Sequence, residues 1–284
     1  MILCMNRLPL SKRVSVVAAL VEGNSIRATS RMTNVSKPAI LKLLGDIGPV
    51  CAEYHDRIVR SVKAERVQVD EIWQFVGSKA KNTKPEKRVE GWGDTWTWVA
   101  MDADSKLIVS WFVGNRDYTA AYNLMLDLSS RLSNPIQLTT DGNRLYIDAV
   151  GAAFGRQIDY AMLKKHYGFE QEEKRYSPAK IVSIESEVIK GNPNPAHIST
   201  SYVERQNLTM RMSMRRFTRL TNAFSKKLDN HAYAVALHFV HYNFCRIHKT
   251  LRVTPAMAAG LSFHVWSIED LVRLLENQEA QKVA

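Results

Sequence analysis

The segment RVQVDEIWQFV, residues 66–76, places the tightest limit on what this chain can fold into. Val67, Val69, Glu71, Trp73 and Phe75 alternate with Gln68, Asp70, Ile72, Gln74 and Val76, and the β-branched and aromatic content favours a strand. Acids in the middle of a strand are unusual. Here Asp70 and Glu71 are adjacent, and a period of two points them to opposite faces of the sheet.

The periodicity on either side of this strand is different. Residues 11–62 read at helical period. Val14, Val17, Ala18 and Val21 give an amphipathic helix that stops at Gly23-Asn24, Ser25 caps a second, and Asn34 marks a turn. Ser36 caps a third, with Pro38 in its first turn and Ile40, Leu41, Leu44 and Ile47 turned inward. Three short helices with a tight turn before the last match a helix-turn-helix that places its third helix in the major groove. A helical bundle used only for packing would show the same pattern. On the first reading Arg27, Arg31, Lys37 and Lys42 are candidate phosphate contacts.

Downstream, 79–93 is a basic, turn-rich loop, and 96–101 and 106–113 read as strands joined by 102–105, which suggests an antiparallel meander. A helix over 120–132, a strand over 136–140 ending at Asp141-Gly142, a helix over 145–154 and a short strand over 158–164 follow. The βββαβα order predicts an α/β fold, a mixed sheet flanked by helices. Asp141 then lies just past the carboxyl end of a strand, where open α/β sheets place ligand groups. Residues 164–200 are polar, hold Pro178, Pro193 and Pro195, and read as a loop-rich insertion. A long helix over 227–248, a short one from Thr254-Pro255 and a last one over 267–276 complete the chain. His231, His238 and His241 on the long helix lack the close i, i+4 pair of helical zinc sites and read as packing residues.

Residues 201–219, SYVERQNLTMRMSMRRFTR, carry one carboxylate, Glu204, and five arginines. Val203, Met210, Met214 and Phe217 form an apolar stripe at helical period, with Glu204, Arg211 and Arg215 on a strip beside it. A solvated amphipathic helix would read the same. The arginine density also suits an acid that binds metal while Arg205, Arg211, Arg215 and Arg216 hold phosphates. Asp70, Asp141 and Glu204 are thus three candidate ligands. Two carboxylates about 4 Å apart repel by on the order of 4 kcal/mol at an effective dielectric of about 20, so a cluster needs a cation. Mg²⁺, with its preference for hard oxygen ligands, or a pair of such ions, serves phosphodiester displacement.

The 39 Lys+Arg against 28 Asp+Glu give a net charge of +11 and a pI near 9.6, which implies attraction to a polyanion, nucleic acid first. Cys4, Cys51 and Cys245 have neither zinc spacing nor a disulfide pattern, as in a reduced cytosolic protein. The apolar MILCM start is too short for a secretory signal, and no run of about eighteen apolar residues predicts a membrane span.

The strings VQVDEIWQFVGSKAKN, LTTDGN, HISTSYVERQNLTMRM and HYNFCRIHKTLRVTPAMAAG together resemble the corresponding blocks of IS1-type insertion-sequence transposases, members of the DDE group with a ribonuclease H-like catalytic domain. The blocks run from about Val67 to Gly260. The resemblance implies that Asp70, Asp141 and Glu204 are a catalytic, metal-binding triad for two Mg²⁺ or Mn²⁺ ions, with Arg211 at the basic position that follows the glutamate. The expected division is a helix-turn-helix DNA-binding domain at 1–62, a ribonuclease H-like catalytic domain at 63–250 and a helical extension at 251–284. The expected chemistry is hydrolysis at the element's ends followed by in-line attack of the freed 3′-hydroxyl on target DNA. His197 is a candidate for orienting a water or phosphate. DNA and further copies of the chain are the implied partners, in a cytoplasmic, nucleoid-associated setting. Relatives often carry a zinc finger ahead of the helix-turn-helix, and this chain has no cysteines spaced to build one. Two other readings share these features: a ribonuclease H-like nuclease that cuts without joining, and a DNA-binding regulator whose acidic cluster is inactive.

Overall fold

Ser25 and Ser36 decide where two of the N-terminal helices begin. Their side chains accept hydrogen bonds from the N–H groups of Ala28 (3.0 Å) and Ala39 (3.4 Å), each satisfying a donor that a helix start otherwise leaves unpaired. The computed structural model describes residues 7–168, 181–219 and 221–283. It opens with α1 (Leu10–Val21), α2 (Ile26–Thr33) and α3 (Lys37–Ile58). Next come β1 (Arg66–Val76), α4 (Pro85–Val89), β2 (Gly93–Asp102), β3 (Ile108–Gly114), α5 (Tyr118–Arg131), β4 (Gln137–Asp141) and α6 (Leu145–Phe154). The remaining elements are β5 (Asp159–Tyr167), β6 (Ile181–Lys190), α7 (Ser201–Ser213), α8 (Leu228–Val240), α9 (Pro255–Ala258) and α10 (Ile268–Val283). The described residues form two compact units, whose boundaries fall inside β1, β2 and α7.

The first unit holds Met1–Arg60, Trp73–Trp96 and Gln206–Ala284. In it α3 is not short: it runs for 22 residues and packs along α8, so closely that a Cβ on Gly48 would lie 2.3 Å from Tyr233 Cβ. Length follows from that partner, since packing an apolar face stabilises a helix beyond its own propensity. Ile40, Leu44 and Ile47 are buried as expected, but Leu41 is 38% exposed and Leu43 is buried instead, because 40, 43, 44 and 47 make the inward stripe. α10 packs on α1 and α3, and buried Arg13 donates to Glu276 at 2.6 Å. His231 and His238 are buried, against Phe217 and Phe239. α7 ends at Ser213, so the buried Met214 and Phe217 continue the apolar stripe from outside the helix; Phe217 closes a 3₁₀ turn.

The second unit, Ser61–Ile72 with Thr97–Arg205, holds all or part of every strand of the sheet, whose order is β3-β2-β1-β4-β5-β6. β2 and β3 form a hairpin whose turn is held by Asp102, a buried acid that accepts from the N–H groups of Asp104 (3.3 Å) and Ser105 (3.0 Å). β1, β4 and β5 are parallel, joined through α5 and α6, which pack together. This is a mixed sheet flanked by helices. One expectation is corrected at its edge: part of the insertion read as loop is β6, antiparallel to β5 with Ser186 opposite Leu163 and Ile184 opposite Lys165. Ile181, Val182, Ile184, Val188 and Ile189 favour extended backbone, but an edge strand exposed along most of its length shows no burial alternation to read. Residues 169–180 of that insertion, with Pro178, and the apolar start at 1–6 lie outside the described residues.

Candidate metal centre

The pairing of β1 with β4 brings two of the candidate acids together. The parallel register runs Arg66↔Gln137 to Val69↔Thr140, and the next residue on each strand is Asp70 and Asp141. Neighbouring strands lie about 4.8 Å apart, so this step alone sets the two carboxylates side by side at the carboxyl end of β4. One oxygen from each of Asp70, Asp141 and Glu71 lies within 4.8 Å of the others. The expectation that Asp70 and Glu71 point to opposite faces is therefore corrected for their carboxylates. Cβ directions alternate along β1, but the longer glutamate side chain, gripped by donors on other elements, bridges the alternation.

Those donors are specific. The Glu71 side chain, 1% exposed, accepts from Arg116 Nε (2.7 Å) and Asn143 Nδ2 (3.0 Å) on Oε1 and from the Tyr146 hydroxyl (2.8 Å) on Oε2. Asn143 also donates its backbone N–H to Asp141 Oδ1 at 3.0 Å. Glu71 and Asp141 are thus tied through one residue, in a network where every bond is charge-assisted or buried.

The electrostatics of the cluster follow from burial and like charge. Burial, then the charges of Asp141 and Glu71, pushes the Asp70 carboxyl up to about 8. Burial, then Glu71, pushes Asp141 up to about 6. Burial and the adjacent Glu71 also hold the Tyr146 hydroxyl well above its ordinary range. Arg116 offsets only part of the negative charge around Asp70 and Asp141, and Mg²⁺ or Mn²⁺ fits such a set of hard carboxylate oxygens.

Glu204 stands apart from that trio. Its position is set by buried Gln68, two residues before Asp70, whose Oε1 accepts from the N–H groups of Tyr202 (2.9 Å) and Val203 (3.2 Å) and so anchors the start of α7. Glu204 is close enough for its charge to raise both Asp70 and Asp141. Its Oε1 nevertheless accepts from Lys165 Nζ of β5 and from Thr200 Oγ1 at 2.5 Å. His197 is exposed and its charge acts on Asp104, which pairs with Arg66.

The basic candidates are distributed as follows. Arg205 is exposed. In the first unit Arg211 is half-buried, with Nη1 3.4 Å from the Phe217 carbonyl, and Arg215 is exposed. Arg216 turns inward, donating to Ser225 Oγ at 3.1 Å and to the Asn230 carbonyl, and burial lowers it to about 10. Arg27, Arg31 and Lys37 are exposed, and exposed Lys42 pairs with Asp46 at 2.9 Å. The sequence reading missed Arg116, Asn143, Tyr146, Lys165 and Thr200. The Asp-Gly-Asn run at 141–143 did carry a signal for Asn143, because such a run favours an Asx turn. Nothing local marks Arg116 or Lys165.

No protein-family model matches the chain. No curated protein matches it either. Among solved structures it is similar to a piggyBac transposase synaptic complex with hairpin DNA, at 11% identity and a TM-score of 0.39, over 96% of this chain and 72% of that one. It is also similar to the Mos1 strand transfer complex, at 13% identity and a TM-score of 0.22, over 54% of this chain and 58% of that one. A pre-cleavage Mos1 transpososome gives 11% identity and a TM-score of 0.22, over 55% and 60%. Scores this low do not make the folds the same.

Proposed function

We propose that this protein is a divalent-metal-dependent DNA transposase of the DDE group, similar to the IS1-type enzymes, that cleaves at element ends and joins them to target DNA. The observation that carries the reading is the placement of Asp70 and Asp141 at neighbouring positions of two parallel strands, with a third carboxylate within 4.8 Å. The mixed sheet with three parallel central strands is consistent with a ribonuclease H-like catalytic domain. The net charge of +11 supports DNA as the partner.

On this reading Asp70 and Asp141, with Glu204, hold Mg²⁺ or Mn²⁺. The chemistry such ions supply when bound is activation of the attacking oxygen and stabilisation of the leaving one in phosphodiester displacement. Asp70 and Asp141 give up protons as they take up the charge, which couples binding to pH. Glu71 works as a positioning residue, fixing Asp141 through Asn143. Lys165 balances the charge of Glu204, the residue that would complete the metal site. Arg205, Arg211 and Arg215 neutralise phosphate oxygens, α2 and α3 with Arg27, Arg31, Lys37 and Lys42 serve as a helix-turn-helix reading sequence, and the protein acts as an oligomer on paired ends.

The test is incubation of the protein and Mg²⁺ with a labelled duplex carrying the element end and an unlabelled supercoiled target. A transposase joins label to target. Cleavage without joining would indicate the nuclease, and binding without cleavage the regulator.

A further inference from the structure

A cavity of about 670 Å³ opens within the first unit, and none of the candidate metal ligands lines it. That size lies in the roughly 300–1,000 Å³ range of small-molecule sites. Its charge is one-sided: Arg27, Lys37, Arg215, Arg216 and Lys226 line it, and no carboxylate does among the described residues. Four of these, all but Arg216, are exposed, so a bound anion meets cations that keep access to solvent. Arg216 is already committed to Ser225 and Asn230 and adds a fixed charge.

Leu20, Leu44, Met214, Phe224, Ala234 and Leu237 give the cavity apolar walls, beside neutral polar side chains such as Asn24, Asn222 and Asn230. Two buried polar residues, Ser225 and His238, lie among them. His238 is 3% exposed, and neither ring nitrogen has a hydrogen-bond partner. Buried polar groups in folded proteins are almost always satisfied, so an imidazole in the cavity lining whose two buried nitrogens lack partners points to a partner that arrives with the ligand. Burial keeps this ring neutral at physiological pH, with its pKa lowered to about 3, so it offers one donor and one acceptor.

A flat heteroaromatic ring with hydrogen-bonding edges, attached to a phosphate, matches all three features. Aliphatic and aromatic walls suit the ring faces, the imidazole suits an edge, and unpaired arginine and lysine suit the phosphate. We propose that this cavity binds a single unpaired nucleotide, its base among Phe224, Leu237 and His238 and its phosphate at Arg27, Lys37 and Arg215. The source follows from the DNA-binding reading above, on which this inference rests: a nucleotide of the bound strand that has left the duplex stack. A free mononucleotide shares the chemistry and is separated by experiment.

The full chain is titrated with three probes: a duplex carrying one unpaired 2-aminopurine, the same duplex fully paired, and 2-aminopurine mononucleotide. Fluorescence intensity and anisotropy are both recorded. The unpaired duplex should bind about tenfold more tightly than the paired one, equivalent to about 1.4 kcal/mol, with quenching of the base. Ala234→Trp, which fills the cavity, should abolish the preference and the quenching while paired-duplex affinity stays within about twofold. Circular dichroism melting checks that the variant is folded; if it is not, His238→Leu takes its place and should reduce the preference severalfold. Saturable quenching of the mononucleotide, lost in the same variant, without any duplex preference would keep the site and make its ligand a free nucleotide. Equal affinity for both duplexes with no mononucleotide quenching would overturn the proposal, as would a folded Ala234→Trp variant that keeps the preference. Failure of both duplexes to bind would count against the DNA reading alone, since the mononucleotide arm still reports on the cavity.

Discussion

Replacing Asp70 with asparagine should change how the stability of the metal-free protein depends on pH. In the unfolded chain Asp70 titrates at its ordinary value of 3.8, and in the folded protein it is pushed up to about 8. Between those values the folded state holds a proton that the unfolded state has lost, so stability is fully present below about pH 4 and falls as pH rises toward 8. One pKa unit corresponds to about 1.36 kcal/mol, so the loss approaches about 1.4 kcal/mol per pH unit while Asp70 is protonated only when folded. Asp141, raised to about 6, adds to the slope below that pH, which leaves Asp70 as the larger carboxylate contribution above it. Urea unfolding in a chelating buffer at pH 6.5 and 7.5 should therefore show wild type about 1 kcal/mol less stable at the higher pH, and Asp70→Asn with most of that difference gone. Saturating Mg²⁺ should flatten the wild-type slope, because a bound cation keeps the carboxylates ionised. A wild-type slope near zero, or an equal slope in Asp70→Asn, would refute the electrostatic description of the centre.

Glu71→Gln should keep the fold but loosen Asp141, since an amide gives Arg116 and Tyr146 a weaker, partly mismatched acceptor. Calorimetric titration with Mn²⁺ should show affinity reduced on the order of 10-fold, the lower end of the cost of losing a residue that supports metal ligands. Gly48→Ala should destabilise by about 1–3 kcal/mol in thermal unfolding despite alanine's better helix propensity, because the new Cβ would fall 2.3 Å from Tyr233 Cβ where α3 meets α8. Arg215→Ala should lower affinity for all DNA sequences alike and reduce the slope of log K against log salt by about 0.9, as gel-shift titrations at several salt concentrations would show.

Much of the sheet was legible because its strands carry local signals. RVQVDEIWQFV alternates, and Thr140-Asp141-Gly142 ends a strand in a turn. From these alone Asp70 could be placed on a strand and Asp141 just past the end of another, and the parallel register then made them neighbours. What was not legible depended on reach and on distant pairing. Alternation describes where Cβ atoms point, and so it separated Glu71 from Asp70, although a glutamate gripped by Arg116, Asn143 and Tyr146 lies beside it. Lys165 meets Glu204 across 39 residues of sequence, through the register of β5, which no local pattern encodes. β6 escaped notice for a related reason: an exposed edge strand has the backbone of a strand without its burial pattern. Leu41 and Leu43 show the finer limit, where two apolar residues on either side of Lys42 compete for one inward position and the packing partner α8 decides.

The central claim is that Asp70 and Asp141 together make the reactive centre, and the most direct measurement is Mg²⁺-dependent cleavage of element-end DNA by wild type and by Asp141→Asn. The substitution is nearly isosteric and removes one charge, so DNA binding, which draws on residues elsewhere, should survive in a gel shift. The account predicts cleavage by wild type that is lost on chelation, and none detectable from Asp141→Asn at any Mg²⁺ concentration. Full cleavage by folded, DNA-bound Asp141→Asn would contradict it.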